Sequence, residues 1–332
     1  GVAVVRHTLQ RLAARGRVLD GEFRPAGVVG AQEWCDADVL RTLRRRSLAR
    51  LRHEIEPVEP ATLGRFLPAW QRVASPGGAG SKGLRGIDGV LAAVDQLAGC
   101  PVPASALEPL VLAARVVDYE PAYLDELTAT GEVLWAGHGS LPGADGWISL
   151  HAADSAELSL PAPQPLDDLD HRDAELAEAV LQALAPGGAW FFRQLSDAVG
   201  AQDDPRLSAV LWQLVWAGRI GNDTLAPVRA LTGSGTPAHR TRRRPPRARV
   251  SGGRARMPAR SGPPETAGRW ALLPAVDPDP TRRAHATAER LLDRHGVVTR
   301  GAVVNERVPG GFAGVYKVLT AFEDSGGARR GY

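Results

Sequence analysis

Arginine is the residue type through which this 332-residue chain could do chemistry. Among 40 basic residues only Lys82 and Lys317 are lysine, so almost every cation is a planar guanidinium able to hold a phosphate through two parallel N–H bonds. Such usage also suits a GC-rich genome. Arg44, Arg45 and Arg46 lie together on the polar side of a helix expected from Ala37 to about Ile55, and Arg206, Arg300, Arg307, Arg329 and Arg330 follow farther along. A charged helix face is most often only a solvated surface. Here Arg41, Arg44, Arg45, Arg46, Arg50 and Arg52 face one acid, Glu54, which favours phosphate contact for part of the face. A second basic stretch, 233–268, runs through Arg240, Arg242, Arg243, Arg244, Arg247, Arg249, Arg254, Arg256 and Arg260 with Pro, Gly and Ser between. It has too little to bury and is expected to be disordered, placed to lie on nucleic acid or to serve as a plain linker.

Other chemistries find less support. Gly78-Ala79-Gly80-Ser81-Lys82-Gly83 has the G-x-G-x-x-G form, but it follows an amphipathic helix instead of a strand and reads as a chance match. The ATP-binding sequence G-x-x-x-x-G-K-[ST] occurs nowhere. Cys35 and Cys100 are the only cysteines; two cannot make a four-thiolate zinc site, and buried thiols in a reducing cytoplasm are the expected state. His138 and His151 fall on the two sides of one expected hairpin, without the third ligand that a catalytic zinc wants, so no metal is expected. No run of eighteen apolar residues and no signal peptide appears, so no membrane partner is expected. With 40 basic against 37 acidic residues the chain is only mildly cationic, and placement of charge matters more than its sum.

Four copies of one skeleton position these residues. Leu211, Leu214, Gly218, Ile220 is repeated as Leu9, Leu12, Gly16, Val18, as Leu124, Leu127, Gly131, Val133 and as Leu319, Phe322, Gly326, Ala328. Apolar residues three apart share a helix face. A glycine past the last turn takes the left-handed conformation that ends a helix, and a β-branched residue two later starts a strand. The last copy is weakest, because Ala328 is a poor strand former. A helix that stops at Gly and runs into a short hairpin builds a winged-helix unit. The expected fold class is therefore α+β, tandem winged-helix domains, helix-rich with short β-hairpin wings. Units of about a hundred residues put the end of one unit at 1–36 and a helical segment plus a winged-helix unit at 37–160. A unit at 166–274 follows, carrying the 233–268 insertion in its wing, and a last one at 277–332 stops at its wing. Opening in a helix and ending where a hairpin should begin, the sequence reads as a piece of a longer chain. Asp36 is the expected cap of the 37–55 helix, whose inward stripe is Val39, Leu40, Leu43, Leu48, Leu51 and Ile55. A further helical stretch is expected over Ala104–Val117, and Phe312–Asp324 is the expected recognition helix of the last unit.

Several longer stretches resemble a known family. Trp34-Cys35, Arg44-Arg45-Arg46-Ser47-Leu48, Glu54-Ile55-Glu56-Pro57-Val58 and Arg65-Phe66-Leu67-Pro68-Ala69-Trp70-Gln71 are similar to the C-terminal region of the large helicase-related (Lhr) proteins. So are Gly131-Glu132-Val133-Leu134-Trp135, Asn222-Asp223-Thr224-Leu225-Ala226-Pro227, His295-Gly296-Val297-Val298-Thr299-Arg300 and Val308-Pro309-Gly310-Gly311-Phe312. The resemblance implies a superfamily 2 DNA helicase linked to DNA repair. Its ATPase core, with ATP and Mg, would lie N-terminal to this region, so the fragment itself needs no cofactor. It further implies likeness to AlkZ-type tandem winged-helix DNA glycosylases, whose Gln-x-Gln or Gln-x-Asp motif has one match here, Gln202-Asp203-Asp204, making Asp204 the candidate catalytic carboxylate.

The leading expectation is a DNA-binding and assembly module, non-catalytic by itself, of a cytoplasmic ATP-dependent DNA helicase. Its partners would be single-stranded or tailed DNA and the helicase core of the same chain. The alternatives are part of a uracil-type DNA glycosylase and a scaffold for homo-oligomers or other partners.

Overall fold

The structure, a computed structural model, describes residues 1–23, 33–53, 58–73, 83–167, 169–233 and 262–331. Backbone contacts divide the chain into two compact units, Gly1–Thr62 with Tyr316–Tyr332, and Leu63–Val315.

In the first unit, helix α1 (Val2–Ala14) ends at Gly16, and the chain turns into β1 (Val18–Gly21), antiparallel to β2 (Glu33–Asp36) with Leu19 opposite Cys35. Helix α2 (Ala37–His53) starts on the expected cap: Asp36 Oδ1 accepts from the backbone N–H of Asp38 at 2.8 Å and of Val39 at 3.2 Å. Of the expected inward stripe of α2, Val39 and Leu43 are 52% and 51% exposed and Leu40 is half-buried; the Leu48, Leu51 and Ile55 side chains lie outside the described residues. Among the described residues of this unit no apolar side chain is fully buried. Periodicity marks a face that can be buried but not the surface that covers it.

The second unit opens within α3 (Pro60–Trp70) and runs through β3 (Leu84–Arg85), α4 (Gly86–Leu97), β4 (Val102–Pro103) and α5 (Ala104–Ala106). The helix expected to reach Val117 instead widens into a π-helical turn, Leu107–Leu112, and is followed by β5 (Val116–Val117), parallel to β3. Pro109 inside that turn has no N–H and breaks the α-helical ladder, and the β-branched pair Val116-Val117 suits a strand. Helix α6 (Pro121–Thr130), with Pro at its first turn, leads into the hairpin β6 (Val133–Leu141) and β7 (Asp145–Ala152), in which Trp135 lies opposite Leu150.

After the short α7 (Ala156–Ser159) the same order of elements recurs: α8 (His171–Leu184), β8 (Trp190–Phe191), α9 (Phe192–Ala198), α10 (Asp204–Trp216), β9 (Ile220–Asn222), α11 (Ala226–Thr232) and β10 (Arg269–Leu272). The two three-stranded sheets, β4-β7-β6 and β8-β10-β9, share one topology, the leading strand lying beside the last. This is winged-helix architecture. Helices α12 (Pro280–His295), α13 (Arg300–Asn305) and α14 (Gly311–Ser325) complete the chain, and α14 crosses into the first unit at Tyr316.

The repeated glycines all hold the left-handed conformation, with φ of 67° at Gly16, 81° at Gly131, 68° at Gly218 and 86° at Gly326. After three of them the next N–H reaches back to the second apolar residue of the skeleton: Arg17 to Leu12 O, Arg219 to Leu214 O and Gly327 to Phe322 O, at 3.0, 3.0 and 2.7 Å. That closure ends the helix, and after Gly16 and Gly218 the chain enters a paired strand. After Gly326 the strand expected at Ala328 does not form among the described residues, alanine being a poor strand former.

One core unites the two central winged helices, with Leu124, Leu127, Trp135, Leu150, Val180, Leu184, Leu211, Leu214 and Trp270 all buried. Trp212 packs against Trp216 (ring centres 5.1 Å apart) and edge-on against Trp270 (6.0 Å). Hairpin β6–β7 lies directly on α10. A Cβ at Gly137 would stand 2.2 Å from Val215 O, and one at Gly146 would stand 2.4 Å from the Trp216 ring. Only glycine admits so close an approach. The stretch expected to be disordered, 233–268, differs in part: Pro264–Thr266 form a 3-10 turn, Thr266 is buried, and Trp212 Nε1 donates to Glu265 O at 3.1 Å. The arginines from Arg240 to Arg260, the glycine-rich stretch from Gly78 to Lys82 and the residues from Pro25 to Gly30 lie outside the described residues.

Candidate nucleic-acid interface

Arg44, Arg45 and Arg46 sit one after another on α2 and are exposed. Arg41, a turn earlier, is paired with Asp38. Helix α1 adds Arg6 and Arg11, also exposed, on a helix without an acidic residue. Sequence reasoning named the α2 face and passed over α1; its signal was the lack of any acid before Asp20.

Toward the C-terminus the expected cations meet aromatic rings. The Arg300 guanidinium lies 5.5 Å from the Phe312 ring centre, and Arg307 lies 4.6 Å from that of Trp147 on β7. Arg307 also takes the left-handed conformation (φ 54°), unusual for a side chain of its size. A guanidinium stacked by its face keeps its N–H edges for a phosphate. In the first unit Arg330 stands over Tyr316 at 5.1 Å and pairs with the buried Glu323 at 3.4 Å, while Arg329 is exposed.

Arg206 is differently placed. It pairs with Asp173 at 2.6 Å and Asp170 at 3.1 Å, both on the N-terminal turn of α8. Asp203 caps α10 by accepting from Arg206 N at 3.2 Å, and Asp204 takes both arms of Arg193 at 2.8 and 2.7 Å. The Gln202-Asp203-Asp204 triplet is thus a helix cap joined to an ion pair that ties α9 to α10.

Two polar clusters lie within the second unit. Arg229, only 6% exposed, donates to Glu108 at 2.6 and 2.9 Å, to Asp125 at 2.7 Å and to Pro121 O at 3.4 Å. Burial opposes its charge, but the bonds to Glu108 and Asp125 outweigh that and raise its pKa. Tyr119 donates to Glu108 at 2.6 Å, and burial together with that carboxylate pushes its hydroxyl well up. The cluster fastens α11 to α6 and to the π-helical turn.

In the hairpin, His138 Nε2 meets Ser149 Oγ; Ser149 Oγ lies 2.7 Å from His151 Nε2, and His151 Nδ1 lies 2.7 Å from Ser159 Oγ. Ser159 donates to the Ala156 carbonyl at 3.3 Å, so it accepts from His151 Nδ1–H. This leaves His151 Nε2 to accept from Ser149, and Ser149 to accept from His138 Nε2–H. One unidirectional chain of hydrogen bonds therefore engages both imidazoles. Burial lowers the pKa of His138 to about 4 and of His151 to about 3, the latter also disfavoured by His138, Arg290 and Arg294. Among the described residues no group of three His, Cys, Asp or Glu side chains is arranged to hold a metal ion. Both cysteines are free thiols, and burial raises the pKa of Cys100.

Comparison with known proteins places this architecture. Residues 58–153 and 277–332 each match a family model described as "Large helicase-related protein, winged-helix domain". Over these residues the chain is similar to the winged-helix domains of the Lhr proteins. It is 50% identical over 339 aligned positions to the "Lhr helicase/ probable uracil glycosylase" of Mycolicibacterium smegmatis, covering all of this chain and 21% of that protein. It is 39% identical over 355 positions to the "Lhr helicase/uracil glycosylase" of Escherichia coli, covering all of this chain and 22% of that one. The chain thus spans about a fifth of the length of the curated relatives it matches. Among the described residues no helix is long and apolar enough to cross a membrane.

Proposed function

We infer that this chain is a DNA-binding winged-helix module working beside the motor of an ATP-dependent DNA helicase. The observation that carries the reading is the exposed arginine set on winged-helix architecture: Arg44, Arg45 and Arg46 on α2, with Arg300, Arg307 and Arg329 farther along. Guanidinium groups on phosphates give sequence-independent affinity, which suits a module that guides a strand. The helicase names of both relatives support the setting; ATP and Mg would be held by the motor in the parent chain, and the strand guided would be single or tailed. Uracil glycosylase also stands in both names. In this chain the candidate carboxylate, Asp204, is already held by Arg193, and our reading assigns it structural work only. The test is binding of the chain to fluorescent single- and double-stranded DNA over a salt series. Affinity that falls steeply and linearly with log salt is expected. Absence of binding at low salt would overturn the reading.

A further inference from the structure

Among the described residues three helices each run through a left-handed glycine into a paired hairpin: α1, α6 and α10. In a DNA-reading winged helix such a helix presents cations and polar side chains to the groove and the phosphates beside it. We propose that here the nucleic-acid backbone is taken by α1 and α2, and that α6 and α10 are walls of the scaffold that no strand enters. The proposal rests on the DNA-binding reading and assigns its surface.

Helix α10 is covered. Eight of its thirteen residues are buried, among them Trp212, Val215 and Trp216, and the glycine-floored hairpin of the preceding winged helix lies on its C-terminal half through Gly137 and Gly146. What α10 leaves exposed is Pro205, Ala209 and Gln213, without a cation. Its one arginine, Arg206, is spent on Asp170 and Asp173. Helix α6 carries no Lys or Arg, exposes Glu126, and commits Asp125 to Arg229 and to Thr224. A phosphate set beside Glu126 would meet like charge, with nothing on that helix to neutralise it.

Helix α1 has the opposite character. Arg6, His7, Gln10 and Arg11 are all exposed, and the helix holds no acid. His7 and Arg11 are four apart and share a face. The β1–β2 hairpin connects α1 to α2, so the Arg44–Arg46 run stands on the helix that leaves this same hairpin. Charge and accessibility coincide there and at neither central helix.

The experiment compares three charge-altered forms of the full chain by titration against fluorescent DNA over a salt series, with circular dichroism on each: Arg6→Glu with Arg11→Glu, Arg44→Ala with Arg45→Ala and Arg46→Ala, and Ala209→Glu with Gln213→Glu on the exposed edge of α10. All seven positions are exposed, so the fold tolerates them. The expected result is a log–log salt slope reduced by about 2 for the α1 pair and about 3 for the α2 triple, roughly one per lost phosphate contact, with the α10 pair binding as the parent does. Parent-like binding by the α1 and α2 forms, together with weakened binding by the α10 form, would overturn the assignment while leaving the DNA-binding reading intact. A parent chain that binds no DNA, with the exposed face of α1 closed by self-association in mass photometry, would remove the DNA-binding reading and this assignment together.

Discussion

Replacing Arg229 with methionine tests how the two central winged helices are held together. Arg229 is 6% exposed, and its partners Glu108 and Asp125 are 15% and 17% exposed. Methionine keeps most of the side chain's volume but removes the donors to both carboxylates. Glu108 is left with Tyr119, and Asp125 with Thr224 Oγ1 at 2.9 Å and Leu225 N at 3.2 Å. Breaking a buried pair from one side leaves uncompensated charge in a region of low polarity and costs about 3–5 kcal/mol. Arg206→Met is the matched control. Arg206 is 31% exposed and one of its partners, Asp170, is 68% exposed, so solvent screens the pair and its loss should cost far less than that of Arg229. The assay is urea unfolding followed by tryptophan fluorescence, which the buried Trp135 and Trp270 report. Adding Glu108→Gln and Asp125→Asn to Arg229→Met should recover much of the loss, since it removes the stranded charges. If Arg229→Met unfolds within 1 kcal/mol of the parent, or no more easily than Arg206→Met, the clamp does not hold these elements and the reasoning fails.

Other outcomes follow from the packing of the hairpin. Gly137→Ala places a methyl group against the Val215 carbonyl, which cannot rotate away, so it should destabilise by about 1–3 kcal/mol or more; a melting temperature equal to the parent's would mean that the hairpin does not seat on α10. His138 and His151 have folded pKa values near 4 and 3, below the ordinary 6.5. The unfolded chain therefore binds protons first as pH falls, and the stabilisation, complete above pH 6.5, is lost progressively between there and about pH 4 for His138 and about pH 3 for His151. The loss is on the order of 3 kcal/mol for His138, from about 1.4 kcal/mol per unit. His138→Gln should flatten the pH dependence of unfolding over that window, and an unchanged profile would count against the buried chain.

Much of the architecture was legible because it is written locally. The Leu-x-x-Leu spacing and the following glycine specify where a helix stops whatever surrounds it, and all four glycines hold the left-handed conformation. Asp36 caps α2 because a side-chain oxygen beside unsatisfied N–H groups needs no tertiary partner. The helical stretch expected over Ala104–Val117 gives way to a π-helical turn that contains Pro109. The candidate site was legible only as a set of residue types. Arg206 and Arg44 look alike in sequence, yet one is held between Asp170 and Asp173 and the other stands in solvent.

By itself the sequence determined residue type, the four glycine helix stops and the surplus of arginine over lysine, since each depends on a few neighbouring bonds. Only the tertiary structure decided which arginines remain available, that two carboxylates distant in the chain close on Arg229, and that the hairpin of one winged helix covers α10 of the next. Those outcomes depend on which surfaces meet. That is set by the packing of whole elements on a shared core, and nothing in a helix's own periodicity names the surface that will cover it.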